Sequence, residues 1–213
     1  MSTLNSFDRI APVYDRLAGM VFGTAIQDAQ RAHLDALSTA REILILGGGT
    51  GWLLKDLLQR NLSARITYLE ASQRMIDQAR KSLMDADRLR VAFVHGTEEW
   101  LLEENRFDAV IINFFADMFT APELVKILQR LDLVLRPGGQ LLCTDFVDDV
   151  RWQRALLSAM YTFFKVTAGL RNHQLAPWRK LIPDEGFERL RSKTFWKGFI
   201  CSEVYRKDFD EMP

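Results

Sequence analysis

Short apolar runs alternate with segments of helical periodicity along the middle of this 213-residue chain. Continuous apolar runs bounded by turn residues are typical of strands buried on both faces of a sheet. They predict five strands, at Glu42–Leu46, Ala64–Leu69, Arg90–His95, Ala109–Asn113 and Gln140–Phe146. The helices between them are predicted at Trp52–Arg60, Gln73–Ala86 and Pro122–Leu135. This alternation indicates a doubly wound α/β fold with a mostly parallel sheet.

The two ends of the chain follow other patterns. The first forty residues are predicted to be helical, most clearly over Thr24–Leu37. Two strand-like runs, 187–196 and 198–207, are joined by a short turn around Lys197–Gly198, which predicts an antiparallel hairpin. We expect one domain over residues 1–207, comprising an N-terminal segment (1–40), a core (41–147) and a substrate-side segment (148–207), followed by a tail at 208–213.

Composition excludes several classes of protein. Lys+Arg and Asp+Glu both number 28, so the basic excess typical of nucleic-acid binders is absent. Cys143 and Cys201 form neither a CxxC pair nor a metal-ligand cluster, so we expect two reduced, buried thiols and no metal. Charged residues near the N-terminus and the lack of an apolar run of about 20 residues argue against a signal peptide and a membrane span. We therefore expect a cytoplasmic protein with no integral membrane segment.

The segment "ILILGGGTG", residues 43–51, carries the main functional signal. A strand that ends in glycines and opens a helix presents backbone N–H groups to a ligand. A dinucleotide fingerprint, G-x-G-x-x-G, would need a third glycine where Trp52 stands, so the spacing argues against NAD or FAD but permits a nucleoside. Glu70 ends the second strand, where an acid can accept hydrogen bonds from both ribose hydroxyls.

Four segments in this order resemble the class I S-adenosylmethionine-dependent methyltransferases: residues 43–51, Glu70 in "YLEAS", "HGTEEW" (95–100) and "LRPGG" (135–139). The resemblance implies a Rossmann-like seven-stranded sheet that ends in the antiparallel hairpin, with S-adenosylmethionine as cofactor. The segment "FDRIAPVYDRL", residues 7–17, resembles the N-terminal motif of quinone-biosynthesis C-methyltransferases and bacterial phospholipid N-methyltransferases. It is either a lid over the site or an amphipathic helix packed on the core.

The resemblance also implies a set of cofactor contacts: Tyr14, Gly47, Gly48, Gly49, Thr50, Gly51, Glu70, Ala71, Met75, Thr97, Glu98 and Asn113. The glycines would pass under the methionine part, Glu70 would bind the ribose, and the residues from 71 to 98 would surround the adenine. The family usually has an acid at the position of Ile45. Its absence predicts that backbone carbonyls, or a residue such as Asn113, hold the methionine amino group.

Catalysis of methyl transfer needs no fixed set of side chains. The step is an in-line displacement at a sulfonium methyl, in which positioning and exclusion of water do most of the work. A base is needed only when the nucleophile carries a proton. The candidate bases are His173, between the last long helix and the hairpin, and Asp145, at the end of the fifth strand. We expect His33 at the surface and His95 in a structural role.

The substrate side is rich in aromatic residues, which either pack on the sheet or form an apolar pocket for a quinone-precursor-like or lipid-like acceptor. These residues and their apolar neighbours are Phe114, Phe115, Trp152, Leu156, Met160, Phe163, Phe164 and Trp178. Arg171, Arg179 and Lys180 could bind an acidic group on the acceptor. Whether carbon, nitrogen or oxygen receives the methyl is not determined by this scaffold.

Two other functions stay open at this stage. Aminopropyltransferases, which use decarboxylated S-adenosylmethionine, share the triple glycine without an acid at the Ile45 position. They carry acidic residues after the fourth strand, where this chain offers only Asp117. The missing acid at Ile45 also leaves room for a non-catalytic nucleoside-binding module.

Overall fold

The computed structural model of the protein describes residues 22–102, 106–168 and 174–208. Its strands are β1 (Glu42–Leu46), β2 (Arg65–Glu70), β3 (Val91–His95), β4 (Phe107–Asn113), β5 (Leu135–Phe146), β6 (Phe187–Phe195) and β7 (Ile200–Lys207). They form one seven-stranded sheet in the order β3-β2-β1-β4-β5-β7-β6. Strands β1 to β5 are parallel, and β7 lies antiparallel between β5 and β6. The predicted Rossmann-like sheet with an antiparallel C-terminal hairpin is confirmed.

The helices are α1 (Ala25–Arg31), α2 (Trp52–Arg60), α3 (Gln73–Ser82), α4 (Asp85–Arg88), α5 (Ala121–Val134), α6 (Arg151–Ala168) and α7 (Trp178–Asp184). Local capping fixes where two of them begin. The Ser72 hydroxyl accepts the backbone N–H of Met75 at 3.3 Å at the start of α3. At the start of α5 the Glu123 carboxylate accepts the N–H of Thr120 at 2.8 Å, which is half of a capping box.

Two predicted helices are shorter than their periodicity indicated. The first, predicted to reach Leu37, ends at Arg31 and is followed by a 3-10 turn over Leu34–Leu37. The break occurs because His33 leaves helical geometry and turns its ring inward, where Nε2 lies 3.2 Å from the carbonyl oxygen of Ser202. The prediction of a surface position for His33 is therefore wrong, and burial lowers the pKa of its imidazole. The other helix stops at Ser82, and α4 follows as a separate turn.

Both faces of the sheet are buried. Along β1, Leu44 and Leu46 face a core covered by α5 and α7, whereas Ile43 and Ile45 face one covered by α2 and α3. Successive side chains of a strand point to opposite faces of the sheet, so a run that is apolar throughout contributes to both cores. Both cysteines are buried and free, as predicted. Within the described ranges, no helix has the length and hydropathy needed to cross a membrane.

The segment 135–139 is more regular than a simple turn. Strand β5 already begins at Leu135, which pairs with Phe107 of β4. The register then shifts, so that Gln140 pairs with Ala109 and the residues between them form a bulge. Helix α5, which ends at Val134, therefore leads directly into the sheet.

Candidate active site

The glycine loop leaves the sheet at a topological switch point. The last residue of β1, Leu46, pairs with Leu69 of β2 on one side and with Ile112 of β4 on the other. The loop therefore begins between Glu70 and Asn113, each one residue beyond these pairs. In open α/β sheets this crevice outside the carboxyl ends of the strands is where ligands bind.

The glycines of the loop serve different purposes. Gly51 has a φ of 76°, and a Cβ there would lie 2.5 Å from the Cβ of Ala79, so glycine allows α2 and α3 to pack together. A Cβ at Gly48 would lie 2.3 Å from the Tyr68 ring. Gly49 has a φ of 63°, yet a Cβ there would meet nothing within 4 Å. The backbone of Gly49 is therefore the part of the loop that faces open space.

Glu70 holds the loop in addition to any ligand it binds. Its side chain is buried, with one oxygen accepting the N–H of Gly49 and the other the N–H of Ser72, both at 2.9 Å. A carboxylate oxygen can accept more than one hydrogen bond. Glu70 therefore keeps capacity for ribose hydroxyls while it joins the loop to the start of α3.

Tyr68 is a site residue that the sequence analysis missed. It pairs with Ile45 across β1 and β2, and its hydroxyl donates to the carbonyl oxygen of Gly49 at 2.6 Å. The Gly49 residue is thus held at its N–H by Glu70 and at its C=O by Tyr68. Burial raises the pKa of Tyr68, so the phenol stays a neutral donor. The sequence did contain one signal for this role, a tyrosine within a strand predicted to be buried. A buried tyrosine hydroxyl usually has a hydrogen-bond partner.

The residues predicted to surround the adenine gather at the ends of β2 and β3. Glu70 pairs with His95 in this part of the sheet, and His95 Nε2 lies 3.0 Å from the carbonyl oxygen of Ala71. Met75 lies in the first turn of α3, and Thr97 opens the turn after β3, where its hydroxyl accepts the N–H of Glu99 at 3.4 Å. Glu98 follows in the same turn. Tyr14 lies outside the described residues.

A cavity beside the glycine loop measures about 350 Å³, counting space open to solvent. Besides the loop, its lining includes Gln30 from α1, Ile45, Trp52, Tyr68 and Asn113. The Asn113 Oδ1 atom is buried and has no hydrogen-bond partner among the described residues. An unsatisfied buried acceptor beside a cavity is a group that a ligand can satisfy.

Two neighbouring carboxyls, the buried Asp145 and the half-buried Asp117, lie at the ends of β4 and β5. Asp145 is fully buried, and its oxygens accept the N–H of Phe146 at 2.7 Å and the N–H of Asp117 at 3.1 Å. Burial, together with the nearby Asp117 carboxyl, raises the pKa of Asp145 well above its usual range. Burial raises the pKa of Asp117 to about 6. The pair therefore binds a proton more readily than two exposed carboxyls would.

Tyr161 of α6 adds a hydroxyl close to this pair. The oxygen is buried without a hydrogen-bond partner in the part of the chain that the structure describes. Burial raises the pKa of Tyr161, and the charges of Asp117 and Asp145 raise it further. The phenol is therefore a neutral group that can donate to a ligand.

Phe114 follows β4 in a strained conformation. Its φ is 50°, a left-handed value that is unusual for an aromatic residue. Its N–H donates to the carbonyl oxygen of Thr144 at 2.7 Å, and its ring centroid lies 5.0 Å from that of Phe146. Strain of this kind is often found at functional sites.

The predicted acceptor residues separate into three groups. Phe114, Leu156 and Met160 are partly buried against the cluster that includes Phe146 and Phe199. Phe115 and Trp178 belong instead to the core on the other face of the sheet. Trp152 and Phe163 are exposed. The first group therefore packs around Phe146, at the end of β5. The side chain of Phe164 is not among those that the structure describes.

Two of the predicted polar residues, His173 and Arg171, lie outside the described residues. Arg179 is engaged by protein groups, because its Nε lies 3.1 Å from Glu203 and its terminal nitrogen 3.0 Å from Asp149. Among the described residues, no group of three or more His, Cys, Asp or Glu side chains is arranged to hold a metal ion.

Comparison with known proteins gives a consistent assignment. A family described as "Methyltransferase domain" matches residues 43–139. The chain is 26% identical over 143 residues to the demethylmenaquinone methyltransferase of Listeria welshimeri serovar 6b, covering 65% of this chain and 60% of that protein. It is 29% identical over 178 residues to the malonyl-[acyl-carrier protein] O-methyltransferase of Halalkalibacterium halodurans, covering 81% of this chain and 58% of that protein.

The fold also matches solved structures. An O-methyltransferase family protein from Burkholderia thailandensis superposes with a TM-score of 0.70 at 20% identity, over 96% of this chain and 59% of that one. This likeness concerns the fold. The chain thus spans about three-fifths of the length of each of these three proteins.

Proposed function

We propose that this class I S-adenosylmethionine-dependent methyltransferase domain transfers the methyl group of S-adenosylmethionine to a small apolar or aromatic acceptor. The observation that carries the proposal is the Gly49 residue, held between Glu70 and Tyr68 and facing open space. It lies beside a cavity lined by Asn113, whose buried amide oxygen has no hydrogen-bond partner within the described ranges.

The residues present fit this cofactor. Glu70 keeps lone pairs that can accept the ribose hydroxyls, and Gly49 offers a surface with no side chain in the way. Asn113 Oδ1 can accept a hydrogen bond from the methionine ammonium. When bound, the cofactor would supply the electrophilic methyl. The chain's own contribution is to hold the acceptor in line with that methyl and to exclude water.

The acceptor would lie at the ends of β4 and β5. Phe114, which packs on the buried Phe146, offers an aromatic face to an apolar body, and the Tyr161 hydroxyl can bind a polar group on it. If the acceptor atom carries a proton, the Asp117–Asp145 pair would receive it, which is supported by the rise in its proton affinity on burial. Asp145 thus stays a candidate base, supported by Asp117. His173 and Tyr14 also stay candidates for the roles that the resemblance implies.

Aminopropyl transfer is a second candidate, favoured by one observation. Acidic residues at the acceptor edge would hold a polyamine, and Asp145 joins Asp117 there. Calorimetry separates the two functions, since we expect tighter binding of S-adenosylmethionine than of its decarboxylated form. The opposite order would contradict methyl transfer. Methyl release would then be screened against quinone precursors, phospholipid head groups and small phenols.

Substitution of Glu70 tests the cofactor site. We expect Glu70→Ala to weaken the binding of S-adenosylmethionine by about 1–3 kcal/mol, since it removes the ribose acceptor and one restraint on Gly49. Asp77→Ala, which removes an exposed carboxylate on α3, is the control and should leave the affinity unchanged. A folded Glu70→Ala variant with wild-type affinity would remove the ribose role.

A further inference from the structure

The floor of the cofactor cavity is apolar where the related methyltransferases usually have an acid. Ile45 is 4% exposed and belongs to the core between the sheet and α2. None of the described residues that line the cavity is charged. The ammonium and carboxylate of a bound amino-acid group would therefore have to be held by neutral groups.

Two side-chain amides line this cavity from opposite parts of the fold. Gln30 comes from α1 and is 8% exposed, although glutamine is normally a surface residue. Asn113 ends β4, and its Oδ1 is buried without a partner among the described residues. An amide can accept a hydrogen bond from an ammonium through its oxygen and donate to a carboxylate through its nitrogen. Two amides are thus suited to a zwitterion.

The position of Gln30 is fixed by its neighbours. Ala29 is fully buried, so this face of α1 is packed against the sheet. The Arg31 guanidinium lies 4.9 Å above the centre of the Trp52 ring and pairs with Asp56, which joins α1 to α2. Helix α2 begins directly after the glycine loop. Gln30 is therefore held in a defined place relative to Gly47 and Gly48.

We propose that Gln30 and Asn113 together bind the amino-acid end of S-adenosylmethionine and replace the acid that is missing at Ile45. This inference rests on the proposed function and adds a residue from α1 to the cofactor site. It assigns the methionine end to neutral amides and the adenosyl end to Glu70. The two ends of the cofactor are then recognised by separate groups of residues.

The test compares three ligands on matched variants. Wild type, Gln30→Leu and Asn113→Leu are titrated by calorimetry with S-adenosylmethionine, S-adenosylhomocysteine and 5′-methylthioadenosine, which lacks the amino-acid group. We expect Gln30→Leu to weaken the binding of S-adenosylmethionine and S-adenosylhomocysteine about tenfold, which is typical of losing a hydrogen bond to a charged group. The affinity for 5′-methylthioadenosine should stay unchanged. Gln27→Leu, an exposed glutamine on the same helix, is the control and should change none of them.

The double variant adds a second criterion. If both amides hold one group, the losses from Gln30→Leu and Asn113→Leu should not add. A Gln30→Leu protein that binds S-adenosylmethionine within about twofold of wild type would overturn the inference. So would an equal loss for all three ligands, which would indicate a structural role. A wild type that binds none of the ligands would refute the proposed function, and this inference with it.

Discussion

The two halves of the candidate site are built on different principles. At the ends of β1 and β2, the structure holds backbone groups: Glu70 and Tyr68 fix the N–H and C=O of Gly49. At the ends of β4 and β5, it presents side chains: the carboxyl pair, the Tyr161 hydroxyl and the strained Phe114. The backbone groups of the first half are hydrogen-bonded, whereas the Tyr161 hydroxyl of the second has no partner among the described residues.

This contrast matches the demands of the proposed reaction. A cofactor that is the same in every turnover can be recognised by backbone geometry, which depends little on individual side chains. An acceptor must be distinguished from similar molecules, and unpaired buried polar groups give the strongest discrimination. We therefore expect substitutions in the first half to change stability and cofactor affinity, and those in the second to change acceptor choice and pH dependence.

The largest effect should come from Gly51→Ala. The new Cβ would lie 2.5 Å from the Cβ and 3.0 Å from the Cα of Ala79, at a φ of 76°. Overpacking and left-handed strain together should lower the free energy of unfolding by about 2–4 kcal/mol, measured by urea denaturation. Gly49→Ala is the matched control, since its Cβ meets open space. Gly49→Ala should lower the free energy of unfolding by about 1–2 kcal/mol, from left-handed strain alone. It should also weaken cofactor binding. Equal costs for the two variants would contradict this account of the loop.

A smaller effect, confined to one range of pH, is expected for Asp117→Asn. In wild type the pKa of Asp117 is about 6, against about 3.9 in the unfolded chain. The native state therefore binds more protons than the unfolded state between these values, and stability falls as pH rises from about 4 to about 6. Asp117→Asn removes this ionisation, so above pH 6 it should gain at most about 3 kcal/mol relative to wild type.

The measurement is a set of urea denaturation curves for wild type and Asp117→Asn between acidic and neutral pH. The difference in unfolding free energy should grow as pH rises and then level off once Asp117 is ionised. A difference that stays constant with pH would show that the Asp117–Asp145 pair does not titrate in this way.

The smallest effect is expected for Tyr68→Phe. The ring stays under Gly48, but the Gly49 carbonyl loses its 2.6 Å hydrogen bond. Affinity for S-adenosylmethionine, measured by calorimetry, should fall by about 1 kcal/mol. Tyr205→Phe is the control, because that buried hydroxyl donates to Glu203 on the hairpin. It should lower stability without changing cofactor affinity, and the same loss of affinity in both variants would contradict a local role for Tyr68.

Local pattern was enough for much of the fold. The bounds of β1 and α2 agree with the predicted Glu42–Leu46 and Trp52–Arg60. An apolar run, a glycine turn and an amphipathic helix are each recognisable from residues that are neighbours in the sequence. The order of the elements then limits how they can pack. The same reasoning placed Glu70 and Asn113 at the carboxyl edge of the sheet. It failed for His33, where a contact with Ser202, far along the chain, ended a helix early.

The pattern along the chain was sufficient to predict the sheet, its terminal hairpin and the position of the glycine loop. Folding brings together side chains that the pattern does not connect: Tyr68 meets Gly49, Gln30 lines the same cavity as Asn113, and Asp117 lies against Asp145. Secondary structure follows from periodicity along the chain, whereas these contacts join residues from separate elements. Their hydrogen bonds and pKa values depend on burial, which exists only once the sheet and its helices have packed.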